Sequence, residues 1–357
     1  MRNLAKTYQA IADILSFNSS NSKLEQTLLH PTFNWDTIVT EGSRHLVLPT
    51  IYCRLKAKEL LHILPRELES YLENLTAINR NRNSAIIKQV QALSQLLNEH
   101  NINHVFLKGA ALLASGYYQD NAERMVGDID VLIQKNRLQD AFRLLQNSGY
   151  TAREETFGNI FFEHKHLPRL TNSNHLCAVE LHRKLFMTYK LSALDTKPIL
   201  NKKDTKNNIL IPCKRHLLLH AILNYQINDH GMQYKHVAFR PAFDTLVLLK
   251  DKHMDYSDDL FQIKPIKNYF KYLAIFFYEF HDIKPALGTY AKKFYSFRLR
   301  NLKFDAFRIK LLRRYNFVRV LFHRLHMFLM NSEYRKALRA DRKRVIKKLK
   351  SGLFLKS

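Results

Sequence analysis

The stretch VFLKGAALLASGYYQDNAERMVGDIDVLI, residues 105–133, decides how we expect this chain to fold. Its pattern predicts a strand, a turn at Gly109, a helix, a turn at Gly127 and a second strand. The chain has only nine glycines, and three of them, Gly109, Gly116 and Gly127, fall in this stretch. Because glycine permits tight turns and close backbone approach, we expect the backbone to need one or the other at these points.

Two carboxylates, Asp128 and Asp130, mark the second predicted strand. Alternate side chains of a strand share a face, so both would point outward together while the intervening apolar residues point into the core. Adjacent carboxylates repel unless a cation lies between them, and Mg²⁺ prefers carboxylate and phosphate oxygens. The pattern therefore favours a site for a metal ion and phosphate groups over its structural alternative, a solvated turn with two surface aspartates.

A third carboxylate is expected at Glu180. It lies inside a short apolar strand, residues 176–182, where a charge is costly unless it is paired or metal-bound. An edge-strand glutamate in solvent is the alternative, and Glu163 is a weaker candidate for the same role. His182 would share a face with Glu180, and we expect it to orient the metal ligands by hydrogen bonding to them.

The segment resembles the polymerase-beta-like nucleotidyltransferase superfamily, and more closely a bacterial group described as uncharacterised nucleotidyltransferases. That group has Leu-Lys-Gly, a Tyr, an Arg and Asp-Ile-Asp, followed later by an acidic residue with Leu-His. The matching residues here are Leu107-Lys108-Gly109, Tyr117 and Tyr118, Arg124, Asp128-Ile129-Asp130-Val131-Leu132 and Glu180-Leu181-His182. The last motif has Glu where the group more often has Asp.

One departure from the superfamily lies in the first turn, which usually has Gly-Ser or Gly-Gly. This chain has Gly109-Ala110. A hydroxyl or second glycine is therefore missing, and phosphate binding would fall to Lys108, to backbone N–H groups or to the N-terminus of the following helix.

The resemblance implies an α+β fold in which a small mixed sheet is flanked by N-terminal and C-terminal helical regions. It implies a metal-dependent transfer of a nucleotidyl group from an NTP, such as ATP, to a hydroxyl of a small molecule, a glycan or a protein. Mg²⁺ or Mn²⁺ would be held by the three catalytic carboxylates, and the nucleotide would be bound by Lys108, Gly109, Ala110 and Arg124. Arg124 has an alternative role, since it could hold its loop by pairing with Asp128 or Asp120.

We expect four regions along the chain. Residues 1–100 would be a helical lead-in with a long amphipathic helix over about 68–99, and 101–200 the catalytic core. Residues 201–290 would form a helical substrate-side region with His220, His230 and Asp244 as its polar points, for which core or capping roles are the alternative. Residues 291–357 would be a basic helical tail.

The net charge of +26 over 357 residues predicts an anionic partner. Residues 291–357 contain 21 Lys or Arg against three acids, with interleaved aromatic residues, so +18 of that charge lies in the tail. Such a segment suits an anionic membrane surface or a nucleic acid, and solvated helices that complete the fold are the structural alternative. A second hypothesis for the whole chain is a catalytically degenerate binding module that docks on membrane or RNA through this tail.

Three scattered cysteines show no metal-ligand spacing and no disulfide framework, which favours a reducing compartment. No apolar run approaches the ~20 residues of a membrane-spanning helix. We therefore expect a cytoplasmic protein. A protein of this kind could also attach peripherally to the inner face of the membrane.

Overall fold

The structure, a computed structural model, describes residues 4–153, 161–187, 189–250, 259–281 and 287–353. These residues form a small mixed sheet with helices before and after it in the chain. The predicted α+β fold with helical flanks is therefore confirmed.

Five helices precede the sheet, and their apolar faces pack into one core. Asparagine or serine side chains cap two of them: Ser20 accepts a hydrogen bond at the start of α2, and Asn34 does so at the start of α3. The helices are α1 (Leu4–Leu15), α2 (Asn21–Leu28), α3 (Trp35–Arg44), α4 (Leu48–Ala57) and α5 (Arg66–Glu99).

Helix α5 confirms the predicted long amphipathic helix. Its buried residues recur every three or four positions, and the buried face changes character along its length: Leu72, Thr76, Asn79, Asn83, Ile86, Val90, Leu93 and Leu97. The polar section of this face contacts the loop before the second strand, and the apolar section packs into the core. One helix thus positions both the loop and the sheet.

The sheet has five strands in the order β1-β2-β5-β4-β3. Strands β1 and β2 are antiparallel, β2 and β5 are parallel, and β4 is antiparallel to both β5 and β3. Every residue of β2 is buried, as expected for a central strand covered on both faces, and every residue of the edge strand β1 is buried as well. The bounds are β1 (His104–Leu107), β2 (Ile129–Ile133), β3 (Thr151–Ala152), β4 (Leu170–Thr171) and β5 (Val179–His182), with α6 (Lys108–Ala114) after β1 and α7 (Leu138–Asn147) after β2.

The junction after β1 differs from the predicted glycine turn, because α6 begins directly at Lys108. Lys108 itself adopts a left-handed backbone conformation with φ of 50°. Gly109 is needed for close approach, since a Cβ there would lie 2.9 Å from Cγ2 of Val126. Gly149 has φ of +85° just after α7, a left-handed conformation that glycine favours at the end of a helix.

A second helical region follows the sheet. Helix α9 packs against α6 and α11 and continues into one π-helical turn, Asn224–Asn228. The elements are α8 (Thr196–Asn201), β6 (Lys203–Lys206), β7 (Ile209–Pro212), α9 (Lys214–Leu223), α10 (Gly231–Tyr234), α11 (Phe239–Leu249), α12 (Asp259–Gln262) and α13 (Lys264–Leu273). Strands β6 and β7 form a separate antiparallel hairpin.

The basic tail is helical. It consists of α14 (Thr289–Arg300), α15 (Leu302–Met330), α16 (Ser332–Ala340) and α17 (Arg342–Leu353). Among the described residues, no helix is long and apolar enough to cross a membrane.

Candidate active site and metal centre

Strand register brings three potential metal ligands together at the middle of the sheet. Asp130 of β2 lies opposite Glu180 of β5, and His182 follows on the same face two residues later. One ligand atom from each of these side chains lies within 4.8 Å of the others. In the described part of the chain, this is the one group of at least three His, Cys, Asp or Glu side chains with that geometry.

Asp130 is the most constrained of the three. It is 1% exposed, and its Oδ1 accepts hydrogen bonds from Lys108 Nζ at 2.5 Å and His182 Nε2 at 2.7 Å. Burial alone would raise the pKa of Asp130, but the hydrogen bond from His182 and the charge of Lys108 outweigh it and hold that pKa well below its usual range. The carboxylate is therefore ionised at neutral pH.

The second oxygen of Asp130 has no partner. Oδ2 is buried and makes no hydrogen bond with the described residues. A buried, unpaired carboxylate oxygen is costly, and a bound cation is one way to satisfy it. The Asp130 and Glu180 carboxylates are oxygen ligands that fit a divalent metal ion. His182 Nε2, 3.5 Å from Glu180 Oε2, is near enough to join them once it gives up the proton that it donates to Asp130.

Asp128 lies at the edge of this group and is held by Arg169. Arg169 Nη2 lies 2.7 Å from Asp128 Oδ2, and Arg169 Nε lies 3.4 Å from Glu180 Oε1, so one guanidinium spans two of the predicted metal ligands. Asp128 is half-buried, whereas Asp130 is fully buried. The expectation that both aspartates face outward is therefore wrong for Asp130, because β2 lies between β1 and β5 and is covered on both faces.

Glu180 is also contacted by His166, whose Nε2 lies 3.7 Å from Glu180 Oε2. The hydrogen bond from His182 lowers the pKa of Glu180 against the opposing effect of burial. Glu163, the rival third carboxylate, lies outside the group. It is largely exposed and pairs with Lys184 at 2.8 Å and with Arg183 at 3.4 Å.

A small cleft beside the carboxylates is lined by Lys108, Gly109, Asp128, His220 and Arg240. The predicted nucleotide residues Gly109 and Ala110 lie in the first turn of α6, and both are buried. His220 is buried in the cleft wall, where burial and the charge of Lys108 lower its pKa to about 3, so it is neutral.

Two cations near this cleft were not identified from the sequence. Lys165 is half-buried and lies within electrostatic reach of Lys108, Asp130 and Glu180, and Arg240 lies in the cleft wall. Neither side chain forms an ion pair with the described residues. Burial lowers the pKa of Lys165, because no carboxylate contacts it closely enough to offset desolvation. A local signal exists only for Lys165, which stands in the basic run His164-Lys165-His166.

Arg124 pairs with neither Asp128 nor Asp120. Its Nε lies 2.8 Å from Asp244 Oδ1, and Tyr118 donates a hydrogen bond to the same carboxylate. This buried cluster joins the loop before β2 to helix α11. Arg124 and Asp244 also line the cleft, so the predicted phosphate-binding role of Arg124 stays a prediction.

Amide side chains of α5 hold the same loop from the other side. Asn83 Nδ2 donates to the carbonyl of Arg124 at 2.7 Å, and Asn79 Nδ2 donates to the carbonyl of Ala122 at 2.8 Å. Gln89 of α5 bonds the backbone carbonyl of Cys177, just before β5, at 2.8 Å. One helix thus holds the backbone that leads into each of the two predicted catalytic strands.

A larger cleft lies elsewhere in the described chain. It has a volume of about 1260 Å³ and is lined by α1, α2, α3 and residues 275–281, against about 90 Å³ for the cleft at the carboxylates. Volume therefore does not identify the site, and we assign it by the carboxylate group, the unpaired oxygen and the nearby cations.

The comparison with protein families agrees with this geometry. The family model described as uncharacterised nucleotidyltransferase matches residues 31–266, which include the sheet, every residue of the carboxylate group and the cations of the cleft. No curated protein matches the chain. Because the family model covers more than half of the sequence, this chain belongs to the uncharacterised nucleotidyltransferase family.

Proposed function

We propose that this protein is a metal-dependent nucleotidyltransferase that moves a nucleotidyl group from an NTP to a hydroxyl acceptor. The observation that carries the proposal is the buried Asp130 carboxylate, whose Oδ2 has no partner while Glu180 and His182 lie beside it. If this carboxylate served only as a structural ion pair, we would expect both of its oxygens to be paired with the cations around it.

Asp130 and Glu180 would hold the metal ion, with Asp128 as a third carboxylate once it turns from Arg169. Mg²⁺ or Mn²⁺ suits these oxygen ligands and would polarise the phosphate oxygens and neutralise charge during transfer. His182 keeps Asp130 oriented by donating from Nε2 to its Oδ1. The predicted supporting role of His182 remains part of the proposal, since His182 is also close enough to be a ligand.

The phosphates would be bound by the cations around the cleft. Lys108 is the closest to the carboxylates, and Lys165 and Arg240 are near it without ion pairs to the described residues. Because a triphosphate carries several negative charges, we expect it to draw on all three. Lys165→Gln and Arg240→Gln should each raise the KM for the NTP while leaving the unfolding midpoint of the protein unchanged.

In the reaction, the acceptor oxygen forms a bond to the α-phosphorus, and the bond from that phosphorus to the oxygen bridging the β-phosphate breaks. Pyrophosphate leaves with that oxygen, and the hydroxyl proton is lost to solvent. The residues of the 201–290 region that face the cleft, among them Arg240 and His220, would contact the nucleotide or the acceptor. A small molecule, a glycan and a protein side chain are all chemically suitable acceptors.

The test is transfer of label from each α-labelled NTP, with Mg²⁺ or Mn²⁺, into a cell extract. Asp130→Asn and Glu180→Gln should abolish transfer, whereas the matched control Glu163→Gln should retain it, because Glu163 lies outside the carboxylate group. Binding of Mn²⁺ followed by electron paramagnetic resonance should show the same order among the variants. Absence of transfer and of Mn²⁺ binding by folded wild-type protein would contradict the proposal.

The second hypothesis, a binding module without catalysis, predicts a different pattern. Docking would then be independent of metal and unaffected by Asp130→Asn, and no NTP would donate label. The Gly109-Ala110 turn is the sequence feature that favours it, and the unpaired Asp130 oxygen is the structural feature that favours an enzyme.

A further inference from the structure

Helix α15 carries a continuous apolar stripe that is largely exposed in the described part of the chain; its first residue, Phe304, contacts the rings of Phe294 and Phe297 in α14. Its eight residues recur every three or four positions and so lie on one side of the helix. Their exposures range from 41% to 68%. They are Phe304, Phe307, Leu311, Tyr315, Val318, Phe322, Leu325 and Leu329.

The orientation of the stripe is set by polar contacts on another side of the helix. Arg308 Nη2 donates to the carbonyl of Tyr234 at 2.8 Å, and Asn316 Nδ2 donates to Gln233 Oε1 at 2.8 Å. These contacts hold α15 against α10, so the helix cannot turn its apolar stripe inward without losing them. An exposed stripe of this length is unusual for a soluble surface and marks an interaction site.

The charges of α15 flank the stripe and are of one sign. The helix has seven Lys or Arg and a single acid, Asp305 at its start. Helical geometry places Lys310 and Arg314 beside one edge of the stripe and Arg319 beside the other. Long basic side chains at the edges of an apolar stripe can extend to anionic head groups while the stripe enters the acyl region.

Other occupants fit less well. A second copy of the helix would bring the basic edges of two stripes together with no acids between them to offset the repulsion. A nucleic acid would contact the cations but leave the aromatic and aliphatic stripe largely unsatisfied, since a helix presents phosphate-binding side chains on the face that touches the nucleic acid.

We propose that α15 is a membrane-docking element that lies in the plane of an anionic bilayer and inserts this stripe into the interface. The helix does not span the membrane, because none of the described helices is apolar enough to do so. This docking is separate from the chemistry proposed for the carboxylate site, and either one can fail without the other.

The test uses the full chain and flotation with vesicles of phosphatidylcholine alone or with about one-third phosphatidylglycerol. Wild type should float with the anionic vesicles and not with the neutral ones. The double variant Phe307→Ser/Phe322→Ser should bind them at least about tenfold more weakly, because two large apolar groups lose their transfer into lipid. The control Ile78→Ser replaces an equally exposed apolar residue (66%) on α5 and should leave binding unchanged.

Insertion is measured separately from charge attraction. In Phe322→Trp, brominated lipids should quench the new tryptophan strongly and leave the single native tryptophan, Trp35, unquenched. Three results would overturn the proposal. The first is equal vesicle binding by wild type and the double variant, and the second is a wild-type dimer in sedimentation that the double variant does not form. The third is tight RNA binding that the double variant loses, together with no binding of wild type to vesicles.

Discussion

Replacing Asp130 by asparagine tests the centre of the proposed site, because the change removes one charge and keeps the size of the side chain. The asparagine oxygen can still accept from Lys108 or His182, but two hydrogen bonds to a charged acceptor become bonds to a neutral one. Lys108 is left without its counter-charge, although its side chain is 23% exposed and can reach water.

The size of the effect follows from these contacts. Hydrogen bonds to charged groups contribute about 1.5–3 kcal/mol each, and breaking a buried ion pair costs about 3–5 kcal/mol. Because one acceptor remains and Lys108 is partly solvated, we expect a loss of about 2–4 kcal/mol in the free energy of unfolding. For a chain of this length that is about 3–5 °C in Tm. Label transfer should fall at least about a thousandfold, since the proposed metal loses its best-placed ligand.

The matched control is Asp128→Asn. The Asp128 side chain is 32% exposed and its partner Arg169 is 35% exposed, so the change should cost less than about 1 kcal/mol. Urea unfolding at neutral pH and transfer from α-labelled NTP are measured on both variants and the wild type. A fully stable, fully active Asp130→Asn protein would refute the reasoning, as would an Asp128→Asn protein that is less stable than Asp130→Asn.

Three further predictions concern the surroundings of the site. Burial lowers the pKa of His104 in β1 to about 4, so the unfolded chain binds a proton at this residue before the folded chain does. As pH falls from about 6.5 towards 4, His104 should therefore lower the free energy of unfolding, by about 2 kcal/mol at pH 5. Other buried histidines such as His220 act in the same direction, so the loss between pH 7.5 and 5.0 in unfolding experiments should be about 2 kcal/mol smaller in His104→Asn than in wild type. Gly109→Ala should lower the free energy of unfolding by about 1–3 kcal/mol, because the added Cβ would lie 2.9 and 3.1 Å from the two methyl groups of Val126. The double variant Gly109→Ala/Val126→Ala should regain part of that stability, which melting curves of both variants would show. Arg124→Gln and Asp244→Asn should each lower the free energy of unfolding, measured in urea, by about 3–5 kcal/mol. The double variant should lose much less than the sum of the two single losses. Additive losses would show that the two side chains do not act as a pair.

Much of the site was predictable because its residues lie in short motifs with clear periodicity. The alternation around Asp128 and Asp130 predicted a strand, and the apolar segment ending in Glu180-Leu181-His182 predicted a second one with a charge inside it. Both strands are present, with slightly shorter bounds than expected. Local spacing is sufficient for such predictions because it reports which face of an element is buried.

Partners far apart in the sequence were beyond such reasoning. Arg124 is separated from Asp244 by 120 positions in the numbering, and only the packing of α11 against the β2 loop brings them together. Arg169 reaches Asp128 because the segment before β4 runs beside β5, a result of strand order that the sequence pattern does not encode. Lys165 and Arg240 join Lys108 for the same reason.

By itself, the sequence determined the class of fold, the family motif and the choice of three candidate carboxylates, because each of these depends on the pattern of residues that are close together in the chain. The tertiary structure alone decided that Asp130 is buried with one oxygen unpaired, because Lys108 and His182, which come from other elements of the fold, both contact its Oδ1. It also decided that the periodic apolar residues of α15 face away from the protein, since periodicity predicts a stripe and only packing determines whether anything covers it.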